Sequence, residues 1–202
     1  LGHSMGSFMA IHVCQRYTKE LTSRRLKGLI LSGSNYDAPG AFKVVAGLAK
    51  IERLRVGGRN ISTLLETLSF GAFNRAFRPN RTEKDWLSRD HEQVDIYISD
   101  PMCGGAISTQ SWYDFLTGLA QLFTPKAMAQ IDKNLPVYLF AGELDPVGKQ
   151  GKGVKKLKQI LQKAGIQTVD LKLYAEGRHE MVNETNRNEV YGDVLKWLQG
   201  RF

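Results

Sequence analysis

Two cysteines and four histidines are all that 202 residues carry of the usual cross-linking and metal-binding side chains. Cys14 and Cys103 show no framework-like spacing, which excludes a disulfide-built fold; both are expected to be reduced, in a cytoplasmic protein. The histidines are scattered and no His/Cys cluster has ligand spacing, so no metal and no other cofactor is expected. No apolar run is long enough to cross a bilayer. No nucleic-acid-binding motif is present, and nucleic acid is not expected as a partner. With 42% apolar and 24% charged residues, the composition is that of an ordinary globular chain.

Acidic side chains are also the minority, 20 against 28 basic ones, for a net charge of +8. Part of the excess lies in Lys149, Lys152, Lys155, Lys156, Lys158 and Lys163. The spacing reads as the solvated face of a surface helix with Val154, Leu157, Ile160 and Leu161 turned inward. Weak contact with an anionic membrane surface is compatible with that charge.

What is present starts at the second residue. Gly2-His3-Ser4-Met5-Gly6 has the Gly-x-Ser-x-Gly pattern of a strand-to-helix turn that holds a serine in a strained, exposed pose. Gly2 and Gly6 are expected to leave room where a side chain would collide with the neighbouring strand and helix. The segment Ser7 to Cys14 then reads as a buried helix, ending near the polar run Arg16 to Arg25. Lys27 to Ser34 reads as a buried parallel strand closed by turn residues.

A serine hydroxyl is a poor nucleophile at neutral pH, and needs a histidine to take its proton and a carboxylate to orient that histidine. His3 adjoins the serine on the tight turn, where its ring is hard to aim at the hydroxyl. His12 falls on the following helix and His91 in a charged stretch. His179 instead follows the strand-like run Thr168 to Tyr174, in the loop Glu176-Gly177-Arg178-His179-Glu180. That places it at the carboxyl edge of a sheet, where catalytic groups of open α/β sheets gather. The carboxylate follows from the same rule. Pro136 to Ala141 is an apolar strand, and Gly142-Glu143-Leu144-Asp145-Pro146 leaves it. Asp145 is preferred to Glu143 because a residue before proline is held extended and projects from the loop.

The order Ser4, Asp145, His179 is that of an α/β-hydrolase triad. Together with Ser99-Asp100-Pro101-Met102-Cys103, Ala141 to Val147, Tyr174 to Glu180 and a closing helix from Asn183 to Leu198, the chain resembles the monoacylglycerol lipase and lysophospholipase branch of the α/β-hydrolase superfamily, grouped with the serine aminopeptidases. The resemblance implies a mostly parallel sheet with helices on both faces and an inserted helical cap. It also implies Ser4 as nucleophile, His179 as base and then acid, Asp145 as orienting carboxylate, and the Met5 N–H in the oxyanion hole. The substrate would be a lipid-like carboxylic ester, monoacylglycerol or lysophospholipid, cleaved through an acyl-enzyme. A peptidase of the aminopeptidase type and a non-catalytic binding module are the alternatives.

Family members carry further strands ahead of the serine turn, with a loop that supplies the second oxyanion N–H. The chain is therefore expected to be a piece of a longer protein, its sheet reduced to three strands. A second copy or the absent N-terminal segment would cover the open sheet edge.

Three parts are expected: hydrolase core over 1–34, helical cap over 35–133, and core again over 134–202. About a hundred residues separate Ser34 from Leu135, too many for an ordinary connection. Within them, Ala41, Phe42, Val44, Val45, Leu48, Ala49 and Ile51 recur at helical spacing, as do Ile61, Leu64, Leu65 and Leu68, and Trp112 to Phe123. These stripes are expected to pack helix on helix. Phe70, Phe73, Phe77, Trp112 and Phe115 are expected to line an acyl pocket partly, since apolar clefts suit alkyl chains.

Overall fold

The computed structural model describes residues 1–23 and 26–201. Arg24 and Arg25, at the end of the polar run expected to follow the first helix, lie outside the described residues. Four parallel strands form one sheet in the order β1 (Gly2–His3), β2 (Leu29–Ser32), β3 (Val137–Gly142) and β4 (Val169–Tyr174). The expected three strands are thus joined by a fourth just ahead of Ser4. Gly2 pairs with Leu31 and His3 with Ser32, a strand too short to show any periodicity in sequence.

Alternation along the inner strands explains the layers, because successive side chains leave opposite faces of a sheet. Leu29, Leu31, Val137, Leu139 and Ala141 enter one apolar cluster, while Ile30, Tyr138 and Phe140 enter a second. The first face is covered by α1 (Met5–Arg16) and α9 (Lys152–Lys163), the second by a short 3-10 turn (Met181–Asn183) and α10 (Arg187–Gln199). The closing helix therefore starts at Arg187, a turn later than the sequence expectation. β4 keeps a polar side: Lys172 pairs with Glu189 and Asp193, and Asp170 accepts from the Trp197 indole.

The polar run after α1 folds into a second short helix, α2 (Thr18–Ser23), after Tyr17 caps α1. Helix α1 is buried only on one side. Ser7, Phe8, Ile11 and Cys14 face the core, whereas Met5, Met9 and Val13 are exposed. Burial pushes the Cys14 thiol up to about 11, which keeps it protonated and inert.

Among the described residues the segment between β2 and β3 contains helices and no strands: α3 (Pro39–Val56), α4 (Thr63–Leu68), α5 (Phe70–Arg75), α6 (His91–Ser99), α7 (Thr109–Leu122) and α8 (Pro125–Met128). Phe42, Ala46 and Ala49 of α3 and Trp112, Leu116 and Leu119 of α7 join the first cluster. The apolar stripes expected to pack do so only in part. Val44, Val45 and Ile51 on α3 and Ile61, Leu64 and Leu68 around α4 are exposed, because the helices turn other residues to the core. On α9, by contrast, Val154, Leu157 and Leu161 are fully buried and Lys155 and Lys156 face out.

Candidate active site

Ser4 sits between the last residue of β1 and the first of α1 with φ 51° and ψ −122°, a backbone pose rare for a residue with a side chain. The turn is held by the Ser4 N–H donating to the Ser32 carbonyl at 2.9 Å, and by the Ser7 hydroxyl bridging from the Ser4 carbonyl (2.6 Å) to Ser34 Oγ (2.8 Å). Gly2 is required here: a Cβ on it would lie 2.4 Å from the Gly6 carbonyl oxygen. Gly6 is not required for space, contrary to expectation, since a Cβ there would meet nothing within 4 Å. The first turn of α1 points that position away from its neighbours. Met5 opens the helix, where a backbone N–H has no intrahelical acceptor.

His179 and Asp145 are buried together, 2% and 0% exposed. Both carboxylate oxygens lie 3.0 Å from His179 Nδ1, and Asp145 Oδ1 also accepts the Val147 N–H at 2.9 Å. This fixes the proton on Nδ1 and leaves Nε2 as the basic atom. Glu143, the other acid of the loop, is exposed. His12 and His91 are exposed as well. His3 is closer than its position on the turn implied: its ring centroid is 4.8 Å from that of His179 and its Nδ1 is 3.1 Å from Ser32 Oγ. Burial, with the nearby His179 charge second, lowers its pKa to about 4, so at neutral pH it is an uncharged neighbour. Gly33 lies against both rings, and a Cβ there would fall 2.9 Å from His179 Cε1 and 3.1 Å from His3 Cε1.

Ser4, His3 and His179 share one cavity of about 240 Å³, completed by Phe70, Lys84, Trp86, Leu87, Tyr97, Gly104, Gly105 and Glu180. Of the five aromatic residues expected at an acyl pocket, Phe70 alone reaches this wall. Phe73 packs behind it on Phe70 and Trp86, and Trp112 supports Phe70 from 5.8 Å while donating its indole N–H to Glu66. Phe115 packs on Phe8, and Phe77 lies under the Arg178 guanidinium at 4.3 Å. The wall residue that sequence reasoning missed is Trp86, whose ring centroid is 5.0 Å from that of His179. Its only signal was an apolar pair, Trp86-Leu87, inside an otherwise polar stretch.

Trp86 is placed by a strap, residues 85–90, laced to the histidine loop. The His179 and Glu180 N–H groups donate to the Trp86 and Leu87 carbonyls at 3.4 and 2.8 Å. The Arg178 guanidinium donates to the Asp85 and Ser88 carbonyls, and the Ser88 hydroxyl donates to the Asn183 carbonyl. At the centre is Glu184, 0% exposed, which accepts from the Arg89 N–H and Nε, the Arg178 N–H and the Thr185 N–H at 2.9–3.1 Å.

The parallel sheet flanked by helices, with these loops at its carboxyl edge, defines an α/β-hydrolase fold. The chain belongs to the family described as serine aminopeptidase, S33, which matches residues 1–186. It is 26% identical over 199 residues to a monoacylglycerol lipase of Mycolicibacterium smegmatis, a match that covers 98% of this chain and 60% of that protein. It is similar to the crystal structure of a thermostable carboxyl esterase from Bacillus coagulans in complex with glycerol, with TM-score 0.85, 26% identity and coverage of 99% of this chain and 63% of that one. A soluble variant of monoglyceride lipase from Saccharomyces cerevisiae shares the fold at TM-score 0.70 and 22% identity, over 100% of this chain and 64% of that one. The chain thus spans about three-fifths of the length of these relatives.

Proposed function

We propose that this chain carries a serine hydrolase site for carboxylic esters of lipid-like alcohols, monoacylglycerols or lysophospholipids. The observation that carries the reading is the buried Asp145–His179 pair, whose histidine lines one cavity with a serine on a strained turn. In this mechanism Ser4 Oγ attacks the ester carbonyl while His179 Nε2 takes its proton. The Met5 N–H, at the positive end of α1, stabilises the developing oxyanion. His179 then protonates the departing alcohol, leaving an acyl group on Ser4, and a water deprotonated by His179 releases the acid. Asp145 holds the ring and stabilises the imidazolium. The aromatic wall of Phe70 and Trp86 supports an acyl chain beside the serine, and the helical segment 35–133, which supplies Phe70 and Trp86, acts as the cap that shapes substrate choice.

The relatives named monoacylglycerol lipase and carboxyl esterase support esters over other acyl substrates. The test is labelling with a fluorophosphonate probe and peptide mass mapping, with Ser4→Ala as control, beside turnover of medium-chain esters and aminoacyl amides. Ser4-dependent labelling with ester turnover is expected. Labelling with faster amide turnover would make the protein a peptidase, and a folded chain with no labelling on Ser4 would remove the catalytic reading.

A further inference from the structure

The cavity that holds Ser4 and His179 has Phe70, Trp86 and Tyr97 in its wall, yet it also receives two charged side chains to which the proposed reaction gives no role, Lys84 and Glu180. Lys84 is set by the turn just ahead of the strap. Asp85, 7% exposed, accepts the Arg81 and Thr82 N–H groups. Lys84 is pinned on both of its main-chain groups: its N–H donates to Thr82 Oγ1 at 3.1 Å and its carbonyl accepts the Leu87 N–H at 3.0 Å. The half-buried side chain therefore leaves a fixed backbone for the cavity wall. Its stem passes Gly104, where a Cβ would lie 3.6 Å from Lys84 Cε and 3.3 Å from Tyr97 Cε1, and its ammonium stands 5.9 Å from the Phe70 ring centroid.

Among the described residues Lys84 enters no ion pair, and the Phe70 ring is its one side-chain partner. The nearby acids are engaged elsewhere or point away. Asp85 is occupied by main-chain donors, Glu83 is exposed, and Glu180 Oε2 accepts the Asn183 amide at 2.8 Å. Burial, with the Glu180 charge second, pushes the Tyr97 phenol above its ordinary value, so it stays a neutral donor on the other side of Gly104. A cation sheltered beside aromatic rings gives up part of its hydration, and here no carboxylate of the protein compensates it. An anion on the ligand would.

We infer that Lys84, with the Tyr97 hydroxyl beside it, is the seat for a phosphate on the alcohol side of the ester, which makes the substrate a lysophospholipid and not a monoacylglycerol. The inference rests on the catalytic reading above, which puts the scissile ester at Ser4 in the same cavity. A monoacylglycerol brings only hydroxyls to this wall and leaves the ammonium without an anion, whereas a phosphate oxygen accepts a charge-assisted hydrogen bond. Glu180 narrows the head group further. Its charge in the same cavity opposes a doubly charged phosphomonoester and favours a phosphodiester of single charge that ends in an ammonium, as phosphoethanolamine does.

The test separates binding from turnover by using ligands that cannot be hydrolysed: a short-chain alkyl ether of glycerophosphoethanolamine and the ether of plain glycerol with the same chain, each titrated calorimetrically into the full chain below its micellar concentration. The phosphate-bearing ether is expected to bind about tenfold tighter or more, the effect of one hydrogen bond to a charged group, and added salt should narrow the difference. Lys84→Gln, and Lys84→Met, which keeps the stem, should each bring the two affinities to within about twofold of one another, while Lys84→Arg keeps them apart. The proposal is overturned if the unaltered chain binds both ethers equally or binds neither. It is also overturned if the neutral variants leave the ratio unchanged, as they would where Lys84 is only a wall contact and both ethers weaken alike. Absence of fluorophosphonate labelling on Ser4 with the phosphate preference intact would remove the catalytic reading alone.

Discussion

Replacing Glu184 by glutamine changes one atom in a side chain of the same shape, so its effect measures hydrogen bonding and charge without a cavity contribution. Glu184 Oε1 accepts the Arg89 and Arg178 N–H groups, and Oε2 accepts Arg89 Nε and the Thr185 N–H. Whichever way a glutamine amide is turned, its NH2 faces two donors, and two bonds at a fully buried site are lost. At about 1 kcal/mol each, with the unsatisfied donors and the weakened pairing of the partly exposed Arg89 added, the cost is about 3 kcal/mol. That is a large share of the roughly 5–15 kcal/mol that holds a typical domain folded. Because these donors tie the strap to the loop that carries His179, turnover should suffer with stability. Urea unfolding followed by tryptophan fluorescence should show a lower midpoint at unchanged slope. Ester hydrolysis well below the transition should show reduced kcat, with KM altered less. A loss under about 1 kcal/mol with kcat intact would refute the assignment of Glu184 as the anchor of the histidine loop.

Asp145→Asn should leave the fold in place but lower kcat by about 10⁴, since the amide no longer fixes the proton on Nδ1; a drop under tenfold in a steady-state ester assay would show that His179 is oriented by something else. Gly33→Ala combines a φ of +57° with a Cβ driven against His179 and His3, and should cost about 1–3 kcal/mol in a thermal melt and displace His179 enough to lower kcat. His3 binds protons more weakly folded (about 4) than unfolded (6.5), so the unfolded state gains protons first as pH falls between those values. Stability should therefore be full above pH 6.5 and decline by about 3 kcal/mol toward pH 4, and His3→Asn should flatten that slope in pH-dependent urea titrations.

The most legible parts of the chain were those where one residue type at one spacing has a single physical use. Gly2-His3-Ser4-Met5-Gly6 marked the turn because few sequences tolerate a serine at φ 51°. The unbroken apolar runs at β2 and β3 marked inner strands because both of their faces are buried. Asp145 stood out from Glu143 through the proline behind it, and the structure buries the first and exposes the second. Less legible was the helical segment, where an apolar stripe shows that a helix has an apolar side without showing what covers it. Phe73, Phe77, Trp112 and Phe115 are aromatic in the right region, yet none of them lines the cavity, because the direction of each ring depends on how short helices cross.

Local sequence by itself determined the type of the longer strands and helices, the strained serine turn and the chain order of serine, acid and histidine, since turn chemistry and periodicity act over a few residues. Tertiary structure alone decided that Trp86 touches His179 across 93 residues of chain, that His3 is half-buried and uncharged beside it, and that Val44, Ile51 and Leu54 face outward. Each of these depends on long-range packing and burial, which no window of neighbouring residues contains.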